Sequence, residues 1–487
     1  MNEKLHSITE SFAFFIPELI LASGIIIILL AGLLNNGRNN LFNGITLITV
    51  LSAFIFIFAS GLDVNVNLFN GMMQREGFGE FLMLLIDIAV ALTCLMSIHN
   101  MDQRHLSEYY ALLLSIALGS HLLLMSTNFT MIFLSMELIS ISSYVLAGYS
   151  FNKSGSEGSL KYFLFGSISS AIMLYGFSIL YGISGTLDFT SQQFFNALID
   201  HSSPLLLIAG IMSMAGFLFK MAAAPMHPWA PDVYEAAPIR IIAFLSVVPK
   251  LAGIGILTKF LLAMHLFGQS EYDWQMIITA IAILTITFGN FSALWQKNPK
   301  RMMAYSSIAQ SGFLLVGIAA FLPQGIHFML FYATIYLFMN FAVFIYLAYF
   351  ETHGIHSIAS FAGTGKRFIW ASVSLTVGLI ALTGLPPTSG FTAKLFIFSA
   401  LWKSYEVTHK TLLLWLLIFG LLNTVVSLFY YLRIPYFAFI KAGETPGNPK
   451  KLTLENFLGF ILVVLIVVMF FMPGLLMGLI NKINFVL

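Results

Sequence analysis

The sequence KMAAAPMHPWAPDVYEAAP, residues 220–238, interrupts a long apolar stretch with four prolines. Residues 382–394, LTGLPPTSGFTAK, show a similar pattern, in which Pro386 and Pro387 are followed by Gly390. Proline removes a backbone donor and clashes with the preceding helical turn, so both helices are predicted to be broken. Freed backbone at membrane depth is tolerated only where it is buried in protein or lines a wet cavity. Two such breaks in one chain are typical of a transport site.

The composition around these breaks is that of an integral membrane protein. Of the 487 residues, 59% are hydrophobic and 9% are charged, against about 25% charged residues in soluble domains. Because an apolar stretch of about 20 residues spans a bilayer, we predict an all-α polytopic membrane protein with about fourteen transmembrane helices. The predicted spans are 12–34, 41–60, 79–99, 107–125, 128–149, 159–183, 203–223, 239–265, 273–294, 299–322, 325–350, 369–402, 410–438 and 455–481.

The broken helices are the seventh and the twelfth of these spans. They are five helices apart, an odd offset, and so cross the membrane in opposite directions. This arrangement predicts two inverted five-helix repeats, spans 4–8 and spans 9–13. The predicted domains are an N-terminal three-helix segment at 1–106, five-helix units at 107–270 and 271–440, and a C-terminal loop and last helix at 441–487. The longest polar connections, 61–78, 351–368 and 440–454, are too short for a soluble domain.

The positive charges predict the orientation in the membrane. With the N-terminus on the outer side, the inner side carries fourteen Lys and Arg residues and the outer side carries five. The inner set is Arg38, Arg104, Lys153, Lys161, Arg240, Lys297, Lys300, Arg301, Lys366, Arg367, Arg433, Lys441, Lys450 and Lys451; the outer set is Lys4, Arg75, Lys403, Lys410 and Lys482. Because cytoplasmic loops are enriched in Lys and Arg, both termini are predicted on the outer side.

Four lysines lie inside the predicted spans: Lys220, Lys250, Lys259 and Lys394. A charged side chain near the bilayer centre costs about 2.5 to 3.5 kcal/mol on insertion scales, so it needs a compensating role. A buried lysine can accept and release a proton near neutral pH, whereas an arginine keeps its proton. Lysines in this setting therefore predict the movement of protons or ions.

Three of these lysines and one glutamate form a predicted proton relay. Glu137, in the serine-rich sequence FLSMELISISSY, is predicted to be an adjustable charge partner; the alternative is a fixed ion pair with one lysine. Lys220 precedes the first break, and the alternative for it is snorkelling to the surface. Lys250 follows Pro249 in span eight and is the predicted central relay. Lys394, beyond the second break, is the predicted terminal relay or exit residue.

The remaining ionisable side chains in or near the spans are given other roles. Lys259 is predicted to snorkel to the outer surface. His227 and Asp232, in the first break, are candidate proton loaders, with a structural role as the alternative for the histidine. Glu18 is expected to satisfy local backbone, and Asp87 to pair within the group of helices 1–3. Hydrogen-bonded packing, rather than metal or haem ligation, is predicted for the other histidines of the spans: His121, His265 and His327.

No cofactor site is predicted in this chain. Cys94 is the only cysteine, so the chain cannot build a disulfide, an iron–sulfur cluster or a thiolate zinc site by itself. The sequence AGTGKR, residues 362–367, looks like a phosphate-binding loop, but Ser360 stands where that motif needs its first glycine. ATP and NAD sites are therefore not expected, and any redox chemistry is expected in a partner.

The chain resembles the antiporter-like subunits of respiratory complex I and, within that family, the subunit N branch. The most specific similarity lies in four stretches: FLSMELISISSYVLAGY around Glu137, KMAAAPMHPWAPDVYEAAP from Lys220, QKNPKRMMAYSSIAQSG at 296–312, and GLPPTSGFTAK ending at Lys394. The resemblance implies a fourteen-helix fold with two inverted five-helix units and a hydrophilic axis across the membrane midplane. It also implies that the essential residues are Glu137, Lys220, Lys250 and Lys394.

Other branches of the family differ at identifiable points. Subunit M has a glutamate where Lys394 stands, and subunit L has a C-terminal lateral helix and a further span, whereas this sequence stops at Leu487 after span fourteen. Subunits of multisubunit sodium/proton antiporters of the Mrp type, and the equivalent subunits of membrane-bound hydrogenases, stay open as alternatives.

The resemblance implies a proton-translocating subunit of an NADH-quinone oxidoreductase, driven by electron transfer from NADH to quinone in partner subunits. NAD, FMN, iron–sulfur clusters and quinone are expected in those partners, and neither a cofactor nor a metal in this chain. The expected partners are other complex I membrane subunits, including related antiporter-like subunits, and the lipid of a bacterial inner (plasma) membrane, with no nucleic acid. Two other functions stay open: sodium/proton antiport, and a non-conducting structural subunit with its lysines in permanent ion pairs.

Overall fold

The structure is a computed structural model that describes residues 2–34, 39–98, 105–200, 204–266, 272–443 and 454–483. Four basic residues used to predict the orientation, Arg38, Arg104, Lys450 and Lys451, lie outside these residues. The chain is predominantly α-helical, as predicted, and forms two compact units. The predicted four-part division and the inverted repeats stay predictions.

The first unit comprises Met1–Met221, Val248–Trp274 and Lys482–Leu487. Its helices are α1 (Asn2–Phe14), α2 (Ile16–Leu34), α3 (Asn39–Ser60), α4 (Gly77–Met96), α5 (Leu106–Met125), α6 (Phe129–Ala147), α7 (Lys153–Ser184), α8 (Gln192–Asp200), α9 (Pro204–Met221) and α12 (Val248–Leu266), and its strands are β1 (Asn65–Leu68) and β2 (Met73–Glu76). Helix α5 is central, because it packs against α2, α4, α6 and α12.

The second unit comprises Ala222–Val247 and Gln275–Asn481. Its helices are α10 (Trp229–Ala236), α11 (Ile239–Leu245), α13 (Trp274–Leu294), α14 (Pro299–Ala319), α15 (Pro323–Glu351), α16 (Thr364–Arg367), α17 (Ile369–Thr383), α18 (Ser389–Thr408), α19 (Thr411–Phe439), α20 (Leu454–Phe471) and α21 (Pro473–Ile480). Helix α15 is central here, and it packs against α14, α17, α18 and α20.

The helices that can cross a membrane match the predicted spans closely. Within the described ranges, 13 helical segments are long and apolar enough, with α11 and α12 counted together as Ile239–His265. Predicted span twelve, 369–402, is missing from that set because α17 has only 15 residues and the following α18 carries Lys394, Lys403 and Glu406. The chain is therefore a multi-pass membrane protein in which this span is discontinuous.

Both predicted helix breaks are confirmed. Helix α9 ends at Met221, and the next helix begins only at Trp229. Helix α17 ends at Thr383, and α18 begins at Ser389. Gly384 follows α17 with a φ of +86°, the left-handed conformation in which glycine commonly ends a helix. The prolines thus stop each helix where the sequence predicts.

The first predicted span, 12–34, is confirmed as a membrane-spanning helix but begins later than predicted, at Ile16. The chain forms α1 up to Phe14 and starts α2 at Ile16. Pro17 lies in the first turn of α2, where its missing N–H costs no helical hydrogen bond but its ring prevents continuation from the preceding turn. The same proline therefore ends one helix and begins the next.

The polar connection at 61–78 contains a structure that the sequence analysis missed. Strands β1 and β2 form an antiparallel hairpin in which Leu68 pairs with Met73. Asn70 and Gly71, in the turn, have φ values of 58° and 82°, and Asn-Gly is a strong hairpin signal. Arg75, the second-last residue of β2, was counted above on the outer side of the membrane, but it is buried and bonded to Glu80 and to the carbonyl of Phe14.

Candidate functional site: buried lysines beside the helix breaks

Glu137 lies half-buried on α6 and is held by a serine of the neighbouring helix. The hydroxyl of Ser170, on α7, donates a 2.6 Å hydrogen bond to Glu137 Oε1. Ser140 and Ser143, which are near Glu137 in sequence, do not bond its carboxylate but donate to backbone carbonyls of their own helix. The partner of this carboxylate is therefore one that the local sequence did not reveal.

Lys220 is buried in the last turn of α9, so the snorkelling alternative is wrong. Its side chain is 1% exposed. Its Nζ has no hydrogen-bond partner among the described residues and lies 5.9 Å and 5.8 Å from the ring centroids of Tyr144 and Phe219. Glu137 interacts with it electrostatically, but the two form no ion pair within 4.0 Å in the described part of the chain. A fixed Glu137–Lys220 ion pair is therefore absent in this conformation.

Lys250 lies on α12, which approaches the helix of Lys220 closely. The side chain is 1% exposed. One turn further along, a Cβ placed on Gly253 would lie 3.2 Å from the Cβ of Lys220. The neighbouring helix, α9, thus fills the space that this glycine leaves. Glu137, Lys220 and Lys250 all belong to the first unit.

Lys394, in the second unit, is anchored by the helix break that precedes it. Its Nζ donates to the carbonyl oxygens of Thr383, at 2.8 Å, and Leu382, at 3.4 Å. The last carbonyls of a helix have no partner within that helix and favour cations. The Nζ also lies 4.1 Å from the centroid of the Phe313 ring. Gly384 lacks a side chain where one would lie 2.8 Å from Lys394 Cδ, so the break itself forms the lysine site.

Comparison with known proteins agrees with this arrangement. Residues 126–420 match the family described as "NADH:quinone oxidoreductase/Mrp antiporter, TM". The chain belongs to this family. It is 35% identical to the NADH-quinone oxidoreductase subunit N of Chlorobium chlorochromatii, over 96% of this chain and 94% of that protein.

Solved structures show the same fold as this family member. A chain of respiratory complex I from Thermus thermophilus superposes with a TM-score of 0.80 at 25% identity, covering 95% of this chain and 98% of that chain. A chain of the Mrp complex from Dietzia sp. superposes with the same TM-score at 17% identity, covering 96% of both chains. The fold is thus shared by proteins of both kinds.

The fourth intramembrane lysine of this family member has a carboxylate partner. Lys259 is buried, so the prediction that it snorkels is wrong. Its Nζ lies 2.6 Å from Glu76 Oε1 and donates a 2.6 Å hydrogen bond to the carbonyl of Leu124. Glu76 ends the hairpin strand β2, which the sequence analysis treated as a polar connection. Lys259 is therefore neutralised in place, unlike Lys220.

Replacing Lys259 by methionine should destabilise the protein strongly. The change leaves the buried Glu76 carboxylate without its counter-charge, a situation that costs about 3 to 5 kcal/mol of unfolding free energy. The double variant Lys259→Met/Glu76→Gln should recover most of that loss, because no unpaired charge remains. The thermal midpoint of the detergent-solubilised protein measures both, and a single variant as stable as the double variant would contradict the pairing.

The candidate proton loaders lie in different surroundings. His227 is half-buried, and its ring stacks on Phe288 at 5.6 Å. Asp232 is 2.8 Å from Arg301, which contacts Glu235 at the same distance. Proton loading by either residue stays a prediction.

The predictions for Glu18 and Asp87 need correction. Asp87 was predicted to pair within the helices of predicted spans 1–3, but it pairs with His121 on α5. Glu18 was predicted to satisfy local backbone, but its carboxylate contacts the same histidine. Packing between polar groups, predicted for His121, is therefore confirmed. The other two histidines, His265 and His327, lie on α12 and α15.

A buried polar network near Lys394 was not singled out from the sequence. Gln310 donates a 3.0 Å hydrogen bond to the carbonyl of Leu382, which also accepts from Lys394. Tyr332 donates to Gln310, and Tyr431 lies within hydrogen-bonding distance of both Gln310 and Ser306. Ser306 and Gln310 lie in the quoted stretch at 296–312, so polar residues within that apolar span were the available signal.

Proposed function

We propose that this chain is the proton-translocating membrane subunit of a bacterial NADH-quinone oxidoreductase. The subunit N relative named above supports this proposal through 35% identity over nearly the whole chain. Electron transfer from NADH to quinone in partner subunits would drive the protons from the inner to the outer side. The chain would belong to the enzyme as a subunit and carry out no redox chemistry itself.

The observation that carries the proposal is the buried Lys220 amine without a hydrogen-bond partner. A buried charge that has only a structural role is normally paired, as Lys259 is with Glu76. Lys220 instead has aromatic rings around it and a carboxylate, Glu137, that interacts with it without a direct ion pair. Such an amine can change its protonation state when the distance to the carboxylate changes.

In the proposed mechanism, Glu137 and Lys220 act as a gate. Their separation removes the negative charge that stabilises the protonated amine, so the proton passes to Lys250 and then to Lys394. Water bridges these steps, since the amines lie on different helices. The carbonyls of Leu382 and Thr383 hold Lys394 in position to receive a proton and release it.

The proposal extends to partners and location. Other complex I membrane subunits, including related antiporter-like subunits, would flank this chain in a bacterial inner membrane, with both termini on the outer side. NAD, FMN, iron–sulfur clusters and quinone would lie in partner subunits rather than here. The lysine and arginine distribution supports the orientation.

A native gel tests this assignment. Membranes from cells that carry a tagged chain are gently solubilised, separated, stained for NADH oxidation and probed for the tag. We expect the tag and the activity in one large band. A tagged band without NADH oxidation would contradict the assignment and favour an antiporter or hydrogenase complex, which sodium-dependent transport in vesicles would then distinguish.

A further inference from the structure

His121 lies between two carboxylates from different helices. Its Nδ1 is 3.3 Å from Glu18 Oε1, and its Nε2 is 3.4 Å from Asp87 Oδ1. The three side chains come from α5, α2 and α4, all in the first unit, and all three are buried. Each ring nitrogen therefore faces its own carboxylate.

The carboxylates keep unused bonding capacity. Glu18 Oε2, both carboxylate oxygens of Asp87 and Nε2 of His121 have no hydrogen-bond partner in the described part of the chain, so the 3.4 Å contact between Nε2 and Asp87 Oδ1 is an ion-pair contact and not a hydrogen bond. Buried ionised groups are costly unless they are neutralised and hydrogen-bonded. Two protons would neutralise the three groups, whereas with one proton they keep a single negative charge. In the one-proton state the proton can lie on Glu18, on the ring as imidazolium, or on Asp87.

We propose that His121 shuttles a proton between Glu18 and Asp87, which gives the first unit a second proton-carrying site. Imidazole suits this task because one nitrogen can accept a proton while the other releases one. The inference rests on the proposed function, in which this chain moves protons. It adds a path through helices α2, α4 and α5 that the relay of Lys220 and Lys250 does not use.

The transfer conserves protons at each step. The Glu18 carboxyl gives its proton to Nδ1 of the neutral ring, whose other nitrogen already carries a hydrogen. The resulting imidazolium gives the hydrogen on Nε2 to the Asp87 carboxylate. Glu18 is then ionised, Asp87 is protonated and the ring is again neutral. The reverse sequence returns the proton to Glu18.

Fixed ion pairs lie on the elements packed around the triad. Glu80, on the same helix as Asp87 and about two turns away, is bonded to Arg75, and Glu76 is bonded to Lys259 on α12. Glu18 acts electrostatically on both Asp87 and Glu80. These neighbours already have opposite charges beside them. The triad is thus the part of this buried polar region in which protons can be redistributed.

The test uses His121→Gln in the whole complex, with His105→Gln as the matched control. Glutamine keeps an uncharged polar side chain between the carboxylates but cannot carry a proton from one to the other. His105 immediately precedes the same helix, but its side chain is 55% exposed and contacts the exposed Glu108. We expect His121→Gln to assemble and to move fewer protons per NADH oxidised, whereas His105→Gln matches the unmodified complex.

Infrared difference spectra provide a second test, because the protonation of these carboxyl groups would not change on NADH addition if the three residues had only a structural role. The carbonyl stretch of a protonated carboxyl group should change when NADH is added. We expect Asp87→Asn and His121→Gln each to remove that change. An assembled His121→Gln complex with the unmodified proton ratio and spectrum would overturn the shuttle. Failure of both variants to assemble would also overturn it, by assigning the triad a structural role.

The relay through Lys220 and Lys250 is tested separately, by measuring proton movement by the Lys220→Met complex in sealed vesicles. If Lys220→Met leaves proton movement intact, the proposed relay fails whatever His121→Gln does. If Lys220→Met stops proton movement and His121→Gln leaves it unchanged, only the shuttle fails.

Discussion

Lys220→Met is expected to stop proton translocation through this chain while the complex still assembles. Methionine fills a similar volume without a charge, and the Lys220 amine leaves behind no hydrogen-bond partner that would become unsatisfied. Glu137 keeps its hydrogen bond from Ser170. Loss of a positioned proton-transfer group costs about a hundredfold or more in rate. The measurement is the number of protons moved per NADH oxidised in sealed vesicles.

The variant Lys220→Arg shows whether residue 220 must release a proton or only carry a positive charge. Lys220→Arg keeps the positive charge, but guanidinium does not give up its proton, so we expect the same loss. Lys161→Met, on the adjacent α7, is the matched control because that lysine is 41% exposed and pairs with Glu157 at the surface. Full proton movement in Lys220→Arg would rule out proton release by this residue.

Lys394→Met is expected to abolish proton translocation and also to lower stability. The change leaves the buried carbonyl of Thr383 without its donor, which costs about 1 to 3 kcal/mol of unfolding free energy. The carbonyl of Leu382 keeps its hydrogen bond from Gln310. Proton movement per NADH and the thermal midpoint of the solubilised complex measure the two effects.

Lys403→Met provides the comparison on the same helix. Lys403 is exposed, and its Nζ lies 3.4 Å from Gln324, so its loss should change the unfolding free energy by no more than about 0.5 kcal/mol. A non-conducting structural subunit predicts a different outcome, in which Lys394→Met impairs assembly but assembled complexes move protons normally. That outcome would contradict the relay.

The sequence revealed the lysines and the breaks because both features are local. A lysine within a long apolar stretch is visible whatever it contacts, and all four prove to be buried. Proline stops a helix through its own geometry, so α9 and α17 end where predicted. Gly384, which also marks the end of α17, was not singled out from the sequence.

The residues that contact these side chains could not be predicted from the sequence, because the contacts depend on which faces of the helices pack together. Glu76 is distant from Lys259 in sequence and lies in a hairpin, and Ser170 reaches Glu137 from another helix. Helix α15 shows why periodicity does not help, since it is apolar on all sides and buried along most of its length. The missing charge partner led to the wrong prediction for Lys259.

The central claim is that protons pass through the buried lysines, and it is tested most directly by measuring proton translocation in the Lys250→Met variant. Lys250 is buried on α12, next to the helix that carries Lys220. In the proposed path every proton that leaves Lys220 must pass through Lys250 to reach Lys394. The measurement is NADH-driven acidification in inside-out vesicles that contain equal amounts of assembled complex. The account predicts that protons moved per NADH oxidised fall well below the unmodified value. An unchanged ratio would contradict proton transfer through the buried lysines.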